Sequence, residues 1–80
     1  MTKTWMKFLI KLNLKIRYKL EIIIEKILNN DFDWLNIKEL SWKKGYFRVR
    51  VWRIRIIFIK FEEWNIIDDI WYRWDIYKWL

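Results

Sequence analysis

Residues 45–61, GYFRVRVWRIRIIFIKF, alternate basic and apolar side chains on both sides of Trp52. A period of two is the signature of a β-strand with two unlike faces, and it does not fit a helix, whose neighbours recur every 3.6 residues. Phe47, Val49 and Val51 fall on one face of the first run, and Tyr46, Arg48 and Arg50 on the other. In the second run Ile54, Ile56 and Phe58 continue the apolar face, while Arg53 and Arg55 join the arginine side. The interruption at Trp52 places a hairpin between the runs. Guanidinium groups held on a rigid sheet suit phosphate, because each offers a planar fork of donors and keeps its charge. The same pattern also fits the solvated outer face of an antiparallel sheet, and the spacing alone leaves both readings open.

The rest of the chain sets limits on what this face serves. Eighty residues make one small domain, 1–80, burying roughly 60–65% of its unfolded surface. Lys and Arg number 17 against 10 acidic residues, a net charge of +7. That excess favours a polyanionic partner: nucleic acid, an anionic membrane surface or an acidic protein segment. Without cysteine there is neither a disulfide framework nor thiolate chemistry. Without histidine the usual general base and the commonest metal ligand are both missing. No apolar run reaches the about 18 residues of a membrane-spanning helix. The start, MTKTWMKFLIKLN, spreads lysines through its apolar residues and lacks a small-residue cleavage site, so it does not read as a signal peptide.

Before the arginine runs the period changes. Residues 3–12 place Trp5, Leu9 and Leu12 on one side, with Met6 and Phe8 nearby, which predicts a short amphipathic helix. Asn13 suits the N-cap of a second helix. From Leu14 to Leu28, Ile16, Leu20, Ile23, Ile24 and Ile27 fall at helical spacing, and Lys15, Lys19, Glu21, Glu25 and Lys26 occupy much of the other side. Asn29 and Asn30 end it. Two helices joined this tightly form a helical hairpin that covers one face of the sheet. Residues 30–44 connect, with Leu35–Leu40 adding a short turn or edge segment. Strands are expected at 46–51, 53–61 and 65–71. In the last, Ile66 and Ile70 share one face, and Asn65, Ile67, Asp69 and Trp71 the other. The fold class is therefore α+β, an N-terminal helical hairpin on a small antiparallel sheet. The tail, WYRWDIYKWL, supplies Arg73 and Tyr77.

Glycine is scarce. The chain has one, Gly45, and no proline, but eight tryptophans, where average usage of roughly 7% would give five or six glycines. Antiparallel domains need glycine at turns, since it alone takes positive φ without steric cost. Trp52 stands between the arginine runs, Trp64 between two strand-like runs, and Trp34 and Trp42 beside polar stretches.

The run GYFRVRVWRIRIIF followed by DDIWYRWDIYKWL resembles the RelE/ParE superfamily of toxins from toxin–antitoxin systems. KFLIKLNLKIRYKLEIIIEKILNNDFD is similar to the two-helix hairpin of these toxins, and LNIKEL to the segment before their sheet. The likeness covers nearly all of residues 2–78. It implies a RelE-like fold whose usual first edge strand, before the helices, is missing from this chain. It also implies glycine at Trp52, Trp71 and Trp74, and commonly near Trp34, Trp42 and Trp64. Exchanging every tryptophan would leave nine glycines, an ordinary number for the family. This pattern arises when a gene that uses UGA for glycine is translated with UGA read as tryptophan; the alternative is native tryptophans that stack nucleic-acid bases.

The RelE likeness further implies a cytoplasmic, cofactor-free and metal-free endoribonuclease that cuts messenger RNA on the ribosome. In that chemistry the RNA 2′-hydroxyl attacks the adjacent phosphate. Arg48 and Arg50 match the family's basic pair on the first hairpin strand, and Arg55 the basic residue of the second. Arg73 matches the arginine after the third strand, and Tyr77 the C-terminal tyrosine. The partners implied are a cognate antitoxin, the ribosome and mRNA. Alternatives within the fold are a ParE-like inhibitor of DNA gyrase and a member that binds without turnover. From another class comes a cationic, tryptophan-rich protein of membrane surfaces, which the mixed polar face of Leu14–Leu28 disfavours.

Overall fold

The computed structural model describes residues 4–72. Two helices, α1 (Thr4–Lys11) and α2 (Leu14–Leu28), precede four strands: β1 (Asn36–Glu39), β2 (Tyr46–Val51), β3 (Ile54–Lys60) and β4 (Asn65–Tyr72). The strands form one antiparallel meander in the order β1-β2-β3-β4. The helical hairpin and the sheet are those expected from the periodicities. The segment within Leu35–Leu40 is a true edge strand, and the second arginine run begins at Ile54 rather than at 53, because Arg53 is used in the turn. No described helix is long and apolar enough to cross a membrane.

Local chemistry fixes the ends of α2. The Asn13 side chain accepts from the Ile16 N–H at 3.0 Å, occupying one of the donors a helix leaves open at its start. At the far end Asn30 takes φ 60°, its N–H donates to the Ile27 carbonyl, and the Asp31 N–H reaches the Lys26 carbonyl at 2.9 Å. That is the Schellman arrangement, with asparagine in the left-handed position usually held by glycine. Lys26 Nζ also meets Asp31 Oδ2 at 2.9 Å, and this hydrogen bond holds the Asp31 carboxyl below its ordinary pKa. Asn65 then ties the helix to the sheet. Its Nδ2 donates to the Ile27 carbonyl at 2.7 Å and to Asn30 Oδ1 at 3.0 Å.

The core lies between the helices and one sheet face. Leu9, Leu20, Ile23, Ile24 and Ile27 pack on Val49, Val51, Ile54, Ile56, Phe58, Ile67 and Ile70. Phe58 is stacked between Phe47 (centroids 5.4 Å) and Phe32 (5.8 Å), so the connector after α2 closes one end of the core.

One face assignment is corrected. Ile66 and Ile70 do not share a face: Ile70 is fully buried and Ile66 exposed, while Asn65 and Ile67 turn inward. A register shift on β4 opposite Ile57/Phe58 is the cause. Phe58 faces Ile67, but Ile57 faces Asp69, so Asp68 is an extra residue. A bulge of this kind reverses the alternation beyond it, returning Ile70 to the core and putting Asp69 and Trp71 on the opposite side.

Three turns require backbone with positive φ. Gly45 takes φ 85°, Trp34 φ 70° and Trp52 φ 56°. Val51 pairs with Ile54, so Trp52 and Arg53 form a two-residue hairpin loop. Positive φ at the first loop residue alone is the sign pattern of a type II′ turn, a glycine position. Trp34 is 98% exposed and contributes nothing to packing. The other described tryptophans occupy ordinary backbone, Trp5 in α1 and Trp71 in β4 among them.

Candidate nucleic-acid interface

The sheet register sets out the arginine face in rows. Across the strands, Asn36 stands opposite Arg50, Arg50 opposite Arg55, and Arg55 opposite Trp71. In the next row Lys38 stands opposite Arg48, Arg48 opposite Ile57, and Ile57 opposite Asp69. Directly opposed residues have their Cβ atoms about 4.5–5.5 Å apart, with diagonal neighbours about 7–8 Å apart. Arg50 and Arg55 are therefore adjacent, with Arg48 one diagonal step from Arg55. Lys38, on the edge strand, extends the row. It was not singled out in the sequence, although the alternation Asn36, Lys38 in NIKEL carried the signal.

Depth differs along the face. Arg50 is exposed, Arg48 half-buried, and Arg55 only 8% exposed. The Nε of Arg48 is buried with no hydrogen-bond partner. Ile57 is fully buried on this side, so β3 is covered on both faces at its centre. The face is therefore not the uniformly solvated surface that alternation alone allows. Asp69, also 8% exposed, lies diagonally from Arg55, and its Oδ1 accepts from the Ile70 N–H at 3.0 Å. Arg53 is exposed at the hairpin tip, away from the paired rows. Arg73 and Tyr77 lie outside the described residues.

Arg50 and Arg55 are like charges directly opposed on neighbouring strands, an arrangement that a bound anion favours. With Arg48 and Lys38 beside them, they give a short row of donors that runs from exposed to buried. Its inner members sit where water is scarce and electrostatic attraction is less screened. Such a row can grip the non-bridging oxygens of a phosphodiester and neutralise charge that builds on them.

No family model matches the chain, and no curated protein matches it. Among solved structures it is similar to the RelB–RelE antitoxin–toxin complex from Methanococcus jannaschii. The TM-score is 0.80 at 27% identity, over 99% of this chain and 95% of that one. The chain is RelE-like. In this RelE-like fold the helical hairpin backs the sheet and leaves the arginine rows on the opposite side. The basic pair Arg48 and Arg50 and the single Arg55 come from adjacent central strands, whose separation is set by backbone hydrogen bonds rather than by loops.

Proposed function

We propose that this chain is the toxin of a toxin–antitoxin pair and acts as a ribosome-dependent mRNA endonuclease. The observation that carries the reading is the register of the RelE-like sheet, which opposes Arg50 to Arg55 and sets Arg48 diagonally beside them. In the reaction the RNA 2′-oxygen forms a bond to phosphorus, the bond from phosphorus to the 5′-oxygen breaks, and the 2′-hydroxyl proton is lost while the leaving 5′-oxygen gains one. Arg55, with Arg73, clamps the scissile phosphate and stabilises its developing charge. Arg48 and Arg50 hold the flanking backbone. Tyr77 moves a proton or stacks on a base. A guanidinium keeps its proton at neutral pH and so does not serve as the base; the turnover expected is slow and mainly electrostatic in origin. Positive charge on the sides of the domain supplies sequence-independent contacts to ribosomal RNA. The protein partner is an antitoxin, with an acidic segment lying over the arginine face of a chain with net charge +7.

The test is an mRNA cleavage assay with and without programmed ribosomes, alongside a gyrase supercoiling assay. Cuts in mRNA that appear only with ribosomes are expected. Lost supercoiling with intact mRNA would assign the ParE-like activity instead, and ribosome binding without cuts would leave a binding protein.

A further inference from the structure

The arginine face does not end at its basic rows. One step further along β2, Tyr46 stands opposite Ile59 of β3, and Ile59 opposite Ile66 of β4. All three point to the same side as Arg48 and Arg50, because their neighbours along the strands, Phe47, Phe58 and Ile67, face the core. This third row is apolar. Tyr46 and Ile59 are half-buried, and Ile66 is 38% exposed. The helices pack on the other face of the sheet, so core packing does not account for it.

An apolar row set directly beside a cationic one suits a partner that is anionic along one edge and flat and apolar along the other. Single-stranded RNA has this form, with phosphates on one edge and base faces on the other. Proteins that hold single strands combine a cationic track with aromatic platforms in the same way. Duplex RNA offers mainly phosphates and 2′-hydroxyls and would leave the apolar row unused.

Two details place a base at Tyr46. Side chains on one face of a strand lie two residues apart, about 7 Å at 3.3–3.4 Å per residue. The ring is therefore one such step from the Arg48 guanidinium, within the reach of a sugar joining a base to its phosphate. In addition, Lys43 Nζ lies over the Tyr46 ring, 4.3 Å from its centroid. The π face is thus capped by a cation on a flexible stem, which can cede its place to a base and turn to the phosphate alongside.

We infer that Tyr46 is a base-stacking residue, and that with Ile59 and Ile66 it receives bases of the single-stranded RNA whose phosphates lie on Arg48 and Arg50. The inference rests on the nuclease reading for taking that RNA to be message. The stacked base belongs to a nucleotide flanking the cut, two rows from the Arg50–Arg55 pair. Every base has a π face, so the subsite tolerates any sequence.

Fluorescence anisotropy of the full chain with two labelled RNA octamers of equal charge tests it: octauridylate, and the same ribose-phosphate strand without bases, at one fixed salt concentration. The parent should bind the base-bearing strand on the order of tenfold more tightly. Tyr46→Leu should lose most of that preference while keeping its affinity for the abasic strand, which also shows that the variant is folded. Tyr46→Phe should retain the preference. Equal affinity of the parent for both strands, or a preference indifferent to Tyr46→Leu, would overturn the inference and give the apolar row to a protein partner. With mRNA still cut on ribosomes, such a result would leave the nuclease reading standing. A Tyr46-dependent preference without cuts would remove that reading and keep the base subsite.

Discussion

Replacing Trp34 and Trp52 by glycine should raise the melting temperature of this protein by roughly 5–15 °C. Both residues hold left-handed backbone, at φ 70° and 56°. A side chain there costs about 1–2 kcal/mol against glycine. Glycine returns about 0.4–1 kcal/mol of that through the greater freedom of the unfolded chain. Trp34 is almost wholly exposed and gives up no packing, so its net gain is close to 1 kcal/mol. Trp52 supports the Lys19 ammonium, and losing that cation–π contact offsets part of its gain. In a domain this small each kcal/mol moves the midpoint by about 4–8 °C. Trp34→Ala is the control: it removes the same bulk but keeps the Cβ, and should gain little. A double glycine variant that melts at or below the parent would show that the tryptophans belong in these turns. The same reasoning predicts TGA rather than TGG at codons 34 and 52, and sequencing the gene checks it.

The second large effect is at the core. Phe58→Ala should cost about 3–5 kcal/mol, the range for emptying a buried aromatic site. Phe58 is 1% exposed on the central strand and stacked on both sides. Its loss leaves Phe47 and Phe32 facing a void between them. A domain of this length has total stability of roughly 4–12 kcal/mol at 0.05–0.15 kcal/mol per residue, so the variant should lose a large share of its stability. Urea titration followed by circular dichroism reads this. A cost below about 1 kcal/mol would mean that the aromatic stack is not the centre of the core.

Much of the architecture is legible in the residues because each element carries its own period and its own punctuation. Asn13, Asn29 and Asn30 mark the ends of α2, and strict alternation assigns Val49, Val51, Ile54 and Ile56 to the core without any tertiary information. Three features were not readable in this way. The bulge at Asp68 inverts the faces of β4, and no local residue type announces it. The edge strand Asn36–Glu39 is short and polar; its residues allow a turn or an edge segment, and only the pairing with β2 decides between them. Depth on the arginine face depends on what covers Ile57 and Arg55, so the sequence placed these arginines on a common side without showing that Arg55 is buried and Arg50 exposed. The likeness to RelE told the same story as the periodicities, and it added an expectation of glycine that the variants and codons above test.

The account depends most on the arginine rows acting as the RNA-handling surface. The direct measurement is the rate of mRNA cleavage on programmed ribosomes for the parent, Arg50→Ala, Arg55→Ala and Arg53→Ala, each checked for folding by circular dichroism. Arg50 is exposed, so its loss leaves the fold intact and isolates the effect on RNA. The account predicts that Arg50→Ala and Arg55→Ala each lower the rate on the order of 10²-fold, the usual scale for removing a donor to a developing negative charge, with Arg53→Ala unchanged. Undiminished cleavage in both Arg50→Ala and Arg55→Ala, or an equal fall in Arg53→Ala, would contradict it.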